Sequence, residues 1–140
     1  MRMSVLCGWV CVALAGAAQA GFVDFNSDSF GSKPNGWHSD DSSLLSFRDS
    51  NGNGLFVYAS MHGETHGRGL AVNSDTDGSW LTMNFTQTVN SLSLEFGNDE
   101  RSYTNPGDQA ILTVFLGGEQ VGRTSVVMNR NDIMDQTIAI

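Results

Sequence analysis

Two cysteines, two prolines and a single lysine, Lys33, are all that 140 residues contain of these three types. Cys7 and Cys11 both fall in the first twenty residues. A chain that begins at Gly21 has no thiol, hence neither disulfides nor a cysteine nucleophile, and must be held by its core or by metal ions. No Gly-x-Ser-x-Gly turn is present, so the nucleophile elbow of the α/β hydrolases is excluded. After residue 20 no apolar run approaches the roughly 20 residues a membrane helix needs, and no segment carries helical periodicity over a normal length.

What is present at the start is a leader. Arg2 precedes an apolar run from Val5 to Ala17, followed by Ala18-Gln19-Ala20, with small residues at the two positions a signal peptidase reads. The run is too short to span a bilayer. Leu6 and Val10 precede the cysteines, where a lipidated cysteine needs a small residue. Residues 1–20 therefore read as a secretory signal peptide and 21–140 as a single domain. With Arg2 removed from the seven Lys and Arg, six face fifteen Asp and Glu, a net charge of −9. Such a surface repels phosphate backbones and anionic lipid, which argues against nucleic acid and membrane surfaces as partners.

Alternation with period two runs through the rest. In Val89–Asn98, Leu92, Leu94 and Phe96 fall on one side and Ser91, Ser93 and Glu95 on the other, a strand with one dry face. The other segments read as strands covering that same face. Phe22–Phe25 is a first short strand, Asn26–Asp41 a run of turns, and Leu44–Phe47 a second strand. Leu55–Ala59, Leu70–Val72 and Trp80–Phe85 follow. Ile111–Leu116 is apolar on both faces and is expected in the middle of a sheet. Gly117-Gly118 turns it into Gln120–Met128, and Gln136–Ile140 begins a last strand. Many brief strands joined by Gly, Asn and Asp turns predict an all-β fold, an antiparallel sandwich of jelly-roll type. The sequence stops inside a strand pattern, so the expectation includes a missing last strand and an exposed sheet edge open to self-association.

Three oxygen-rich clusters are candidates for Ca²⁺. Asp49, Asn51 and Asn53 precede Gly54, and Asn73, Asp75 and Asp77 precede Gly78, both in the pattern [DN]-x-[DN]-x-[DN]-G that can wrap a hard cation. Neither has the bidentate Glu that closes an EF-hand, and the same letters suit plain hairpin turns. Asp24, Asn26 and Asp28 form the third cluster, where a terminal strand is often tied down. His62-Gly63-Glu64-Thr65-His66 has two imidazoles four apart, but its glycines oppose a helix and the order is not that of a zinc protease, so an exposed polar loop is the better reading. Among aromatics, Trp37 and Tyr103 stand in polar loops and are candidates for stacking on sugar rings; Trp80, starting a strand, is expected to be half-buried.

The run VNSLSLEFGNDE, then Thr104-Asn105-Pro106-Gly107-Asp108, then ILTVFLGGEQVGRTSV resembles the exported β-sandwich domains of bacterial PEP-CTERM (exosortase-sorted) proteins, which are similar to galactose-binding-like jelly rolls. The Val-Pro-Glu-Pro sorting tail of that family is absent. The resemblance implies an envelope or extracellular role and carries over no site residue. The expected function is a non-catalytic exported module binding carbohydrate or extracellular polymer, with a structural Ca²⁺ as the one conceivable cofactor. The alternatives are a structural surface or matrix protein and, behind it, a hydrolase.

Overall fold

A computed structural model describes residues 21–58, 67–72, 79–97, 104–131, 133 and 135–140. The leader, the His62–His66 cluster, the Asn73–Asp77 turn and Tyr103 lie outside the described residues. Among those described there is no helix; the fold is all-β, and every strand pairing is antiparallel. No described helix is long and apolar enough to cross a membrane.

Among the described residues, ten strands form four small sheets: β1 Gly31–Lys33, β2 Trp37–His38, β3 Leu45–Asp49, β4 Leu55–Tyr58, β5 Gly69–Val72, β6 Leu81–Phe85, β7 Ser93–Phe96, β8 Gln109–Leu116, β9 Glu119–Val127 and β10 Gln136–Ala139. One sheet runs β1-β4-β5 and another β2-β3-β6; β7 pairs with β10 and β8 with β9. The principal core is shared by the first two sheets. On β3, Leu45 and Phe47 point inward, opposite Phe85 and Met83 of β6. On β4, Leu55 and Val57 point inward, opposite Val72 and Leu70 of β5. Period-two alternation explains this directly: the intervening Phe56 and Tyr58 take the outer side. Each fully buried aliphatic side chain contributes about 1.5–3 kcal/mol relative to exposure.

The core therefore does not gather on Val89–Asn98, as the alternation there suggested. That stretch does form a strand with its expected polarity, Leu94 and Phe96 half-buried and Ser93 and Glu95 exposed. It pairs only with β10, and backbone bonds between Leu92 and Ile140, both 2.9 Å, extend the ladder by one residue pair. The buried cluster forms instead on Leu45, Phe47 and Leu55.

Three further expectations are corrected. Phe22–Phe25 is not a strand: Phe25 has φ of 60° and turns the chain, which no extended segment permits. The Asn26–Asp41 region is not turns alone, since it holds β1 and β2. Ile111–Leu116 is not central. It belongs to β8, which has β9 as its one described neighbour, and Ile111 and Phe115 are 52% and 61% exposed. Apolar residues on both faces describe a buried strand, but they equally describe a strand with one bare apolar face. The Gly117-Gly118 turn holds as read, with φ of 61° and 90°, the positive values that a two-residue hairpin loop requires.

Candidate functional site

Trp37 and Trp80 exchange the environments their sequence settings suggested. Trp37 lies in β2 and pairs with Phe47. Its ring stacks on Phe25 at 6.3 Å and tilts against Phe47 at 5.8 Å, while Lys33 Nζ stands 5.5 Å from its centroid. It is a half-buried core residue whose ring is packed on several sides. Two strand residues between polar turns gave no alternation by which to recognise this.

Trp80 is 68% exposed. It sits just before β6, and its backbone is fixed at both ends of the peptide to one residue of the Asp49–Gly54 turn. Its N–H donates to Ser50 Oγ at 3.0 Å, and its carbonyl accepts from the Ser50 N–H at 3.1 Å. The backbone of Trp80 is thus held beside an exposed polar turn. Exposing an indole forgoes about 1.5–3 kcal/mol or more of burial for a large apolar group, so its position calls for an explanation other than packing.

The turn itself is built on Asp49, which is buried. Its Oδ1 accepts from the Asn51 N–H at 3.2 Å and its Oδ2 from the Asn53 N–H at 2.7 Å, while its own N–H donates to Asn35 Oδ1 at 2.6 Å. Both oxygens are thus directed onto backbone donors, an Asx-turn arrangement that shapes the hairpin loop. The pattern read as a cation loop works here as turn chemistry.

The Asp24, Asn26 and Asp28 cluster behaves alike. Asp24 Oδ1 accepts from the Asn26 N–H at 2.9 Å, and Asn26 Oδ1 accepts from the Arg68 N–H at 3.1 Å. Asp28, 1% exposed, accepts from Ser39 Oγ at 2.6 Å and from the Asp40 N–H at 2.7 Å. The three side chains accept from four different residues. The residue that sequence reading passed over is Asp41. It accepts from the N–H groups of Asp24 (3.2 Å) and Phe25 (3.1 Å) and from the Ser27 hydroxyl. The Ser27 hydrogen bond, helped by those amides and opposed by desolvation, holds its carboxyl below the ordinary aspartate range. Together Asp28 and Asp41 strap residues 24–28 onto Ser39–Asp41 and seat Phe25 against Phe47 at 5.5 Å. Among the described residues, no group of three His, Cys, Asp or Glu is placed to hold a metal.

A second aromatic group lies on the outer side of the β1-β4-β5 sheet. Phe30 meets Phe56 at 5.2 Å and 86°, and Phe56 meets Tyr58 at 4.7 Å and 49°. Phe56 and Tyr58 follow one another along β4 and Phe30 reaches Phe56 from just before β1; rings so inclined offer no common plane to a sugar. Of the tryptophans among the described residues, Trp80 is the exposed one. Compared with protein-family models, curated proteins and solved structures, the chain matches none.

Proposed function

We propose that this protein is an exported, non-catalytic β-sandwich module of jelly-roll type that binds carbohydrate through Trp80. The observation that carries this reading is an indole 68% exposed yet anchored by two backbone hydrogen bonds to the neighbouring turn. A pyranose offers an apolar C–H face and a rim of hydroxyls. Trp80 supplies a surface for the face, and it stands beside an exposed polar turn. The signal-peptide pattern and the PEP-CTERM-like phrases support an extracellular or envelope location. A structural surface or matrix protein is the second reading, favoured by the bare apolar side of the β8–β9 hairpin.

Retention on a panel of immobilised polysaccharides tests the sugar reading. The wild-type protein is expected to bind at least one of them. Trp80→Ala is expected to lose at least tenfold in affinity with an unchanged melting temperature. A folded wild type that binds none, or a Trp80→Ala variant that binds equally, overturns it. N-terminal sequencing of exported material, expected to begin at Gly21, tests the leader.

A further inference from the structure

The alternation that buries one side of the β2-β3-β6 sheet also decides what stands on the other. Leu45, Phe47 and Asp49 of β3 are buried, and Leu81, Met83 and Phe85 of β6 pack on the same core. The side chains between them, Ser46, Arg48, Thr82 and Asn84, therefore take the outer side. The register runs one pair past each end of the β3–β6 ladder: the Ser50 N–H donates to the Trp80 carbonyl at 3.1 Å, and the Thr86 N–H to the Leu44 carbonyl at 2.9 Å. His38, opposite Ser46, adds a position from β2. None of these outer positions holds Asp or Glu, in a chain with fifteen acidic residues against seven Lys and Arg. Arg48, exposed, stands opposite Thr82 and diagonal to the exposed Trp80, a separation of about 7–8 Å across a ladder. Its side chain makes no hydrogen bond or ion pair among the described residues, and the cation–π pair there is Lys33 with Trp37, not Arg48 with Trp80.

We propose that the polysaccharide bound at Trp80 carries uronic acid residues spaced among neutral sugars, and that Arg48 is the residue that selects it by pairing with one carboxylate. This inference rests on the carbohydrate reading of Trp80 and names the class of sugar. A guanidinium presents paired N–H donors in the geometry of a carboxylate, and Arg48 has no carboxylate of its own to satisfy. A sugar stacked on Trp80 brings its own or its neighbour's acid group to the diagonal position, while Thr82 and Asn84 on the same side offer donors and acceptors for hydroxyls. Charge then chooses among polymers. A neutral chain leaves Arg48 unpaired. A densely anionic chain satisfies Arg48 once and sets its remaining charges against a protein of net charge −8. An acidic peptide meets that same repulsion and has no pyranose face for the indole. A sparse carboxylate gains the pair and avoids the repulsion, because the side of the sheet it lies on carries no acid at the register positions.

Isothermal titration calorimetry is the test, with glucuronoxylan, gellan and xanthan, each in its native form and after reduction of its carboxyl groups to alcohols, and with dextran sulfate as a dense polyanion. Wild type is expected to bind at least one native polymer about tenfold more tightly than its reduced form. Dextran sulfate is expected to bind more weakly than that polymer. Arg48→Gln is expected to melt as wild type does, to bind the reduced polymer unchanged, and to bind the native one no better than the reduced. Arg123→Gln, on β9, is expected to keep the whole preference. Comparing native with reduced polymer on wild type needs no variant, so the test survives one that fails to fold. A wild type that binds native and reduced polymers equally overturns the inference and leaves the Trp80 reading standing. So does dextran sulfate binding more tightly than every native polymer, or an Arg48→Gln variant that keeps the preference or loses both forms alike, or a loss of preference in Arg123→Gln. A folded wild type that binds no polymer overturns the inference and the reading together.

Discussion

The half of the molecule built from β1 to β6 and the half built from β7 to β10 keep their shape by different means. In the first, two three-stranded sheets close over Leu45, Phe47 and Leu55, and Val23, Phe25, Trp37, Leu70, Val72, Leu81, Met83 and Phe85 pack around them. Side chains also fasten its loops: Asp28, Asp41 and Asp49 each accept at least two hydrogen bonds. In the second, the buried apolar residues among those described are Leu112 and Ile138, and long backbone ladders join the strands. The β8–β9 hairpin leaves Ile111, Phe115, Leu116, Val121 and Val127 exposed. One half is organised by burial; the other is organised by strand pairing and leaves surface for something else to cover.

The largest effect that can break this contrast comes from deleting matched side chains. Phe47→Ala removes the ring that touches both Phe25 and Trp37, at 5.5 and 5.8 Å. It is expected to cost about 3–5 kcal/mol, enough to unfold a marginal domain. Leu112→Ala is expected to cost about 2 kcal/mol, at the low end for a core leucine, because its surroundings reach solvent and can close on the gap. Urea denaturation of both variants measures the two costs. Equal losses would mean that the second half has a core as demanding as the first.

The contrast also explains how much of the molecule was legible beforehand. Alternation located β3, β4, β5, β6, β7, β9 and β10 to within a few residues, and glycine chemistry placed the turn at Gly117-Gly118, because both signals are local. β1 and β2 were hidden since three and two residues cannot display a period; they exist only because β4 and β3 offer them edges. Trp37 was misplaced for the same reason: its burial depends on Phe25 and Phe47, which lie 12 and 10 positions away in sequence. Trp80 was misplaced because its strand begins one residue later than its letters suggest, which leaves the ring beyond the sheet. The oxygen clusters were visible as clusters. In the Asp24–Asp28 and Asp49–Asn53 clusters the side chains fasten backbone amides, which depends on the N–H groups the fold brings near each oxygen.

Two glycines sharpen the comparison at a smaller scale. Gly54, at the entrance to β4, has φ of 86°, and a Cβ there would stand 2.9 Å from the Lys33 carbonyl oxygen. Backbone cannot yield to a methyl group, so Gly54→Ala is expected to cost about 1–3 kcal/mol. Gly122, in β9, would set its Cβ 2.5 Å from Ile140 Cδ1, the mobile tip of a side chain. Ile140 can rotate away, and alanine is the better strand residue, so Gly122→Ala is expected to lie within about 0.5 kcal/mol of wild type. Thermal melts of the pair decide it. A costly Gly122→Ala would show that Ile140 is held as firmly as the Lys33 backbone, and that the second half is more tightly packed than its exposure implies.

The smallest effect concerns acid, and it touches one carboxylate in each half. Asp41 and Asp135 both lie below the ordinary aspartate range: Asp41 chiefly through the Ser27 hydroxyl, Asp135 through the amide of Asn129 and then that of Asn131, at 2.7 and 2.9 Å. A carboxyl whose pKa is lower when folded than when unfolded stabilises the fold at neutral pH, and that contribution disappears as pH falls through the folded value. Stability is therefore expected to stay flat down to about pH 4 and to decline below it. Both groups are exposed, so the decline from each is small and weakens further in salt. The two halves separate in what protonation releases. Asp41 holds the amides of Asp24 and Phe25, so its titration is expected to move those two N–H resonances and to loosen a segment that covers Trp37. Asp135 holds side chains within its own turn, so its titration is expected to shift the Asn129 and Asn131 amide groups while leaving β10 in register. An NMR titration from pH 7 to pH 2 reads both. If the Asp24 and Phe25 signals follow an ordinary aspartate curve, the strap is not fastened by Asp41, and the first half relies on its apolar core alone.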